Sequence, residues 1–484
     1  MFKRLLDKYN SLPVQIKASF WFLVCSVLQR SISIVTVPVF TRLMTSAEYG
    51  QYVVFSSWER LVSVFVSLNL SANVYMRGLV VYEDNRREFV SSMQGLSFML
   101  LLFWLGIYFA FTDFWNNLFN LPTPLMLFML AEIWITSVFS FWVSEQRVDY
   151  KYKKILIVTL MVSILTPILG IWMVLNSQDK VLARIGSSVT LQIFIYLWFF
   201  FIHLKNGKSF FNKQYWRYAL LFNIPLIPHY LSTLVLSCSD RIMIANMVDS
   251  RSAGIYGFAY SISMVLIFFN LALNTTIEPW LYKKLKTKDF KSISKIAYSS
   301  FSLIAGVNLI LIAFAPEIIS IFAPKEYFEA IWIVPPVTMS VYFIYSYTFF
   351  SVFEFFFKKT GYITTATIVG AVLNIVLNYI FIQKFGYYAA GYTTLICYII
   401  FVVAHYCFMR KICRDFLDDV RVYSLKVLLK ITLLFMAAGF SFLATYGNTP
   451  ARYSLIVALF IIVLACSKSI SNLGMQLIDI KKNG

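Results

Sequence analysis

The sequence predicts an all-α polytopic membrane protein: about fourteen transmembrane helices, two six-helix bundles related by a parallel pseudo-two-fold axis, and two further helices at the C-terminus. Three observations carry this. Hydrophobic residues make up 59% of the 484 and charged residues only 13%, whereas a water-soluble globular chain is about one-quarter charged. The apolar residues form runs suited to membrane helices of about 20 residues. Residues 155–165 and 455–466 are nearly unbroken in this respect, which excludes the alternating pattern of a membrane β-barrel. The connections are short and hold no separate soluble domain.

Windows of spanning length fall at 16–38, 49–71, 90–112, 123–144, 155–175, 182–203, 216–238, 253–277, 297–322, 331–353, 363–382, 387–409, 427–446 and 453–467. The first follows a basic end, residues 1–12, that shows no small-residue cleavage site and reads as cytoplasmic. It carries Ser26, Arg30 and Ser33 on one face, and the second carries Ser56, Arg60, Ser63 and Ser67 at the same spacing. The fourth repeats the pattern with Glu132, Thr136 and Ser140, and the sixth with Arg184, Ser188 and Gln192. Pro167, Pro225, Pro228, Pro335 and Pro336 mark kinks in the fifth, seventh and tenth. Asn270 and Asn274 share a face of the eighth, Asn374 and Asn378 a face of the eleventh. The last window is the shortest. Similar segments, Ser46-Ala47-Glu48-Tyr49-Gly50-Gln51-Tyr52 and Ser252-Ala253-Gly254-Ile255-Tyr256-Gly257-Phe258, follow the first and seventh helices. Six helices separate them, which makes the repeat parallel. The expected division is therefore 1–210 and 211–412 for the two bundles, with the helix pair and a cytoplasmic tail in 413–484.

The net charge of +19 belongs to topology. With the N-terminus inside, most Lys and Arg fall in cytoplasmic segments, and Arg42, Lys180, Arg241, Arg251, Lys325, Lys384 and Arg452 fall outside. Both termini are expected in the cytoplasm. No nucleic-acid partner is needed, and the lysines of residues 283–295 read as a head-group contact or a solvated loop. The six cysteines form no C-x-x-C pair. No disulfide, metal or cofactor is expected.

Charges inside spanning segments mark function. Arg30 and Arg60 lie deep in their helices and require a carboxylate partner or a cavity with an anionic ligand. Arg184, nearer a helix end, can also snorkel. Glu59 and Glu132 are charge partners or proton carriers. A guanidinium forms two parallel bonds to phosphate oxygens, so these arginines suit a phosphate or diphosphate. Ser26, Ser33, Ser56, Ser63, Asn270, Asn274, Asn374 and Asn378 line a polar cavity or glue helices together. Trp58 and Trp134 adjoin the charges and serve either packing or sugar stacking. No enzyme signature is present. Asn206-Gly207-Lys208-Ser209 ends like a phosphate loop, but Ile202 stands where its first glycine must be. His203, His229 and His405 show no metal spacing, and His229 after Pro228 reads as structural.

Several stretches resemble the Wzx-type O-antigen flippases. They are Thr41-Arg42-Leu43-Met44-Thr45-Ser46-Ala47-Glu48-Tyr49-Gly50, Pro225-Leu226-Ile227-Pro228-His229, Asp240-Arg241-Ile242-Met243-Ile244 and Gly254-Ile255-Tyr256, followed by Glu278-Pro279-Trp280, Ala315-Pro316-Glu317, Ala330-Ile331-Trp332 with Pro335-Pro336, and Asn374 through Asn378 to Gly386. Ser46 departs from the proline frequent in that family. The resemblance implies the multidrug, oligosaccharidyl-lipid and polysaccharide exporter superfamily, with its two bundles around a central cationic cavity. It further implies alternating-access transfer of undecaprenyl-diphosphate-linked repeat units from the cytoplasmic to the periplasmic leaflet of a bacterial inner membrane, with the O-antigen polymerase and chain-length regulator as partners. On this reading Arg30, Arg60 and Arg184 hold the diphosphate, and Asp240-Arg241 is a structural signature. The alternatives are a cation-coupled multidrug exporter of the same superfamily and a membrane polysaccharide polymerase.

Overall fold

Capping residues in the sequence set where many of the helices start. Thr45 accepts from the Glu48 backbone N–H, and the Glu48 carboxylate accepts from the Thr45 N–H at 2.7 Å, a reciprocal capping box. Asp179, Asn212, Asp249 and Asp289 each accept backbone N–H groups at the start of the helix that follows.

The computed structural model describes residues 13–465. The basic segment 1–12, Cys466 and the tail lysines Lys468, Lys481 and Lys482 lie outside the described residues. Among the described residues the helices are α1 (Val14–Leu43), α2 (Ser46–Val66), α3 (Asn73–Val81), α4 (Arg86–Ala110), α5 (Thr112–Phe119), α6 (Thr123–Val148), α7 (Tyr152–Leu175), α8 (Lys180–Gly207), α9 (Lys213–Asn223), α10 (Ile227–Met247), α11 (Ser250–Met264), α12 (Leu266–Lys286), α13 (Phe290–Ala313), α14 (Ala315–Phe322), α15 (Val334–Phe356), α16 (Thr360–Phe385), α17 (Ala389–Phe416), α18 (Leu425–Ala444) and α19 (Thr449–Ala465), with no strand. Eleven helical stretches are long and apolar enough to cross a membrane, α9 with α10 and α11 with α12 each counting as one. The 3₁₀ segment Lys325–Trp332 and α15, bent by 50°, supply a twelfth. Helix α2 carries Glu48, Glu59 and Arg60, and α19 is short. These two bring the total towards the fourteen the sequence predicts, of which eleven or twelve have the length and hydropathy of a spanning helix.

Where the windows and the helices differ, local chemistry explains it. The window 216–238 is broken by a 3₁₀ turn at Ile224–Leu226, because Pro225 removes a backbone donor. Pro335 and Pro336 open α15 instead of kinking a helix; of the five named prolines, Pro167 sits in mid-helix. The window 253–277 extends to Lys286, with Lys283, Lys284 and Lys286 in its last turn, where the helix dipole favours cations. The lysine cluster thus occupies helix ends across a three-residue turn.

The chain forms two compact units that divide between Leu234 and Val235, inside α10 and later than residue 210. In the first, α8 packs on α4, α6 and α7. Its end lies against α4 so closely that a Cβ on Gly207 would stand 2.0 Å from the Arg87 carbonyl oxygen. In the second, α15 packs on α13 and α17. Its Tyr342, Tyr345, Phe349 and Phe353 are buried with Phe301 of α13 and Phe435 of α18, so the penultimate helix contributes to this core.

Candidate functional site

In the first unit, three polar helix faces meet. Glu132 of α6 accepts from Ser188 (3.4 Å) and Gln192 (3.3 Å) of α8, and Gln192 also donates to Ser188 at 2.9 Å. The faces read from spacing in windows four and six therefore bond to each other. Glu59 of α2 lies within electrostatic reach of both Glu132 and Arg60, and Arg184 within reach of Glu132. The Arg184 guanidinium sits 4.0 Å over the Phe40 ring and 5.1 Å from that of Tyr52, cation–π contacts suited to a desolvated cation. Gly170 of α7 makes the room: a Cβ there would lie 3.3 Å from an Arg184 terminal nitrogen. Arg184 Nε and Gln192 Oε1 are buried and have no hydrogen-bond partner among the described residues. Arg60 is exposed, and Arg30 is half-buried on α1.

The predicted serines contribute less. Ser26, Ser33 and Ser63 turn their hydroxyls onto backbone carbonyls of their own helices at 2.9, 3.1 and 2.7 Å, and Ser56 is half-buried. Trp134 packs between Phe98 and Phe200, and Trp58 meets Phe119 edge-on, so both rings are engaged in packing. Phe40 and Tyr52, which frame Arg184, escaped the sequence reading. Tyr52 shares the face of Ser56, Glu59 and Ser63 at offsets of four, seven and eleven, a signal that was present.

The second unit holds a different polar group. Asp240 of α10 is fully buried. One oxygen accepts from Asn378 (2.6 Å), the other from Tyr256 (2.7 Å) and Thr394 (2.9 Å). Asn374 accepts from Ser239 at 2.9 Å and from Asn378 at 3.2 Å, and Thr393 donates to Asn378. Asp240 and Arg241 form no ion pair among the described residues: Arg241 donates to the Ser237 carbonyl of its own helix and stacks 3.8 Å over Tyr260. Asn270 of α12 donates to the Val341 carbonyl at 3.0 Å, while Asn274 is half-buried one turn away. The structure thus joins Asn374 and Asn378 to Asp240 and leaves Asn270 and Asn274 apart from them. Tyr256, Thr393 and Thr394 were not legible, because each reaches Asp240 or Asn378 from another helix.

Two histidine–glutamate pairs also escaped the sequence. His203 of α8 bridges Gln94 (2.8 Å) and Glu145 of α6 (3.2 Å). His405 of α17 meets Glu354 of α15 at 2.7 Å, both fully buried.

The family model described as "Polysaccharide biosynthesis protein" matches residues 16–285. The chain belongs to that family. A second model, MatE, matches residues 225–380. Two curated relatives come from Haemophilus influenzae strain Rd. "Lsg locus putative protein 1" is 24% identical over 41% of this chain, and the match spans about half, 51%, of that relative's length. An "uncharacterized membrane protein" is 22% identical over 64% of this chain and 74% of its own. Among solved structures, the lipid II flippase MurJ in an inward closed conformation superposes with a TM-score of 0.70, at 15% identity, over 92% of this chain and 99% of that one. An inward-facing multidrug resistance MATE transporter superposes at 0.61, with 13% identity, over 81% and 96%. The fold is that of these membrane transporters, and the family membership places the sequence resemblance to Wzx-type proteins within a broader group.

Proposed function

We propose that this protein is a flippase that moves undecaprenyl-diphosphate-linked O-antigen repeat units from the cytoplasmic to the periplasmic leaflet of a bacterial inner membrane, by alternating access. The observation that carries the reading is the group on α2, α6 and α8. Arginines and carboxylates stand together on α2, α6 and α8, with Arg184 Nε and Gln192 Oε1 buried and without a hydrogen-bond partner among the described residues. Unpartnered donors and acceptors are costly in such a place and fit a ligand that completes them. Guanidinium groups of Arg60 and Arg184, with Arg30 on α1, are the diphosphate contacts; Glu59 and Glu132 balance their charge or carry a proton. Serine and amide side chains on the same helices offer hydrogen bonds to sugars. The positive-inside bias puts both termini in the cytoplasm, and the partners are the polymerase and chain-length regulator that act on the delivered unit. MurJ supports the reading through a shared fold, and the family through its role in polysaccharide biosynthesis.

The MatE match favours a second reading, a cation-coupled multidrug exporter. The arginines oppose it, since cationic drugs suit acidic cavities. The test is the sidedness of lipid-linked oligosaccharide in cells depleted of the protein. Single repeat units trapped on the cytoplasmic leaflet are the expected result. An undisturbed lipid pool with new drug sensitivity selects the exporter, and unpolymerised units on the periplasmic leaflet overturn both.

A further inference from the structure

A second cationic feature lies in the first unit, well away from the proposed diphosphate group. Where α4 and α7 begin and α6 and α8 end, these helices enclose a pocket of about 550 Å³. Along α8, His203 at this pocket is nineteen residues from Arg184, about 28 Å at 1.5 Å per residue. Arg87, Lys151 and Lys154 supply its positive charge, and Asn206 a polar side chain. Lys151 is committed to Asp149 at 2.7 Å, a carboxylate that Arg86 also grips at 2.7 Å. Arg87 and Lys154 are exposed and have no acidic partner among the described residues. The carboxylate in the lining, Glu145, is held by His203, whose other ring nitrogen faces the Gln94 amide. That chain fixes Glu145 at the floor and leaves the two uncommitted cations at the mouth.

The other wall is apolar and turned outward. Trp198 is 67% exposed and Ile157 65% exposed, on helices that cross the membrane, so their surroundings are acyl chains and head groups. Tryptophan beside basic residues at a helix end is the arrangement of a membrane interface. Basic pockets between membrane helices on the cytoplasmic side are head-group sites, and the charge bias assigns this end to the cytoplasm. We infer that the pocket formed by Arg87, Lys154, Asn206 and Trp198 binds the phosphate of an anionic phospholipid, with the head group among the cations and an acyl chain along Ile157 and Trp198. This site lies apart from the proposed diphosphate group and does not depend on the flippase reading.

The test uses the full-length protein, purified in detergent and stripped of lipid. Its thermal unfolding is followed during titration with dioleoylphosphatidylglycerol, dioleoylphosphatidylcholine or inorganic phosphate, in the absence of any transport substrate. Wild-type protein should half-saturate at an at least about fivefold lower concentration of the glycerol lipid than of the choline lipid, a difference of about 1 kcal/mol. The Arg87→Gln/Lys154→Gln double variant should lose that preference, while Lys153→Gln, one residue outside the lining, should keep it. Both substituted side chains are exposed, and a single Lys154→Glu variant, expected to lose the preference as well, gives an independent check should the double variant express poorly. Equal titration by the two lipids, or a preference that survives in the double variant, overturns the site. Full stabilisation by inorganic phosphate alone overturns the lipid in favour of a soluble anion. Because transport is not measured, none of these results bears on the flippase assignment.

Discussion

Glu132 and Asp240 are both carboxylates on membrane-spanning helices, and their surroundings differ. Glu132 is half-buried and takes two long bonds of 3.4 and 3.3 Å from α8, beside an arginine nitrogen with no acceptor. Asp240 is fully buried, and both of its oxygens accept bonds of 2.6 to 2.9 Å from three different helices. The first arrangement is loose, the second tight and saturated by donors. A carboxylate saturated by donors locks helices together, whereas one left with weak bonds beside an open guanidinium is poised to exchange partners. On the proposed function the first unit handles the anion, while the Asp240 cluster of the second holds its helices in register.

The largest effect that would break this comparison is on transport. Removing a charge-assisted contact worth about 1.5–3 kcal/mol converts to a loss of about tenfold or more. Arg184→Ala and Arg60→Ala should each reduce translocation of lipid-linked repeat units to that extent, assayed by leaflet sidedness in cells, while protein abundance stays normal. Arg184→Lys should rescue only in part, since an ammonium lacks the planar fork. Stability should follow the opposite pattern. Asp240→Ala strands the Tyr256, Thr394 and Asn378 donors and should cost about 2–4 kcal/mol, given bonds that average well under that each in membrane proteins. Glu132→Gln should cost under about 1 kcal/mol by the same reckoning. Thermal unfolding of the two variants in detergent compares them directly.

How much of this was legible follows from which interactions are local. Glu132, Ser188 and Gln192 were marked by spacing of three or four on single helices, and the structure shows two such faces bonded. The membrane helices were legible because apolar length sets most of them, eleven stretches or twelve with the bent pair. The partners of Asp240 were not, since Tyr256 and Thr394 arrive from α11 and α17 and carry no periodic signal of their own. The His405–Glu354 pair was hidden for the same reason, its members standing fifty-one positions apart. The breaks at 224–226 and 314 depend on how proline ends one helix and opens another, which hydropathy windows average away.

A smaller effect sharpens the account of Arg184. Gly170→Ala puts a methyl 3.1 Å from the Phe40 ring and 3.3 Å from the Arg184 guanidinium, close enough to shift either by a few tenths of an ångström. Transport should fall by a few-fold while the unfolding temperature stays within a few degrees, because the backbone is helical and open to alanine. The smallest effect lies outside the membrane. The Lys284 ammonium and the Ser292 hydroxyl and N–H hold Asp289 down to about 2. Its folded value is below the unfolded one, so the cap on α13 contributes above about pH 4 and is lost as the pH falls towards about 2. Asp289→Asn should flatten that part of the stability profile by lowering stability at neutral pH slightly while leaving it unchanged below about pH 2, the loss being small because the pair is solvent-accessible.

The central claim is that the arginines of the first unit bind the diphosphate of the carried lipid. Equilibrium binding of undecaprenyl diphosphate to the purified protein, compared with the Arg60→Ala/Arg184→Ala double variant and with Asp240→Asn, tests it most directly. The account predicts an affinity weakened by about a hundredfold in the double variant, from two such contacts, and little changed in Asp240→Asn. Equal binding by wild type and the double variant, or a loss confined to Asp240→Asn, would contradict it.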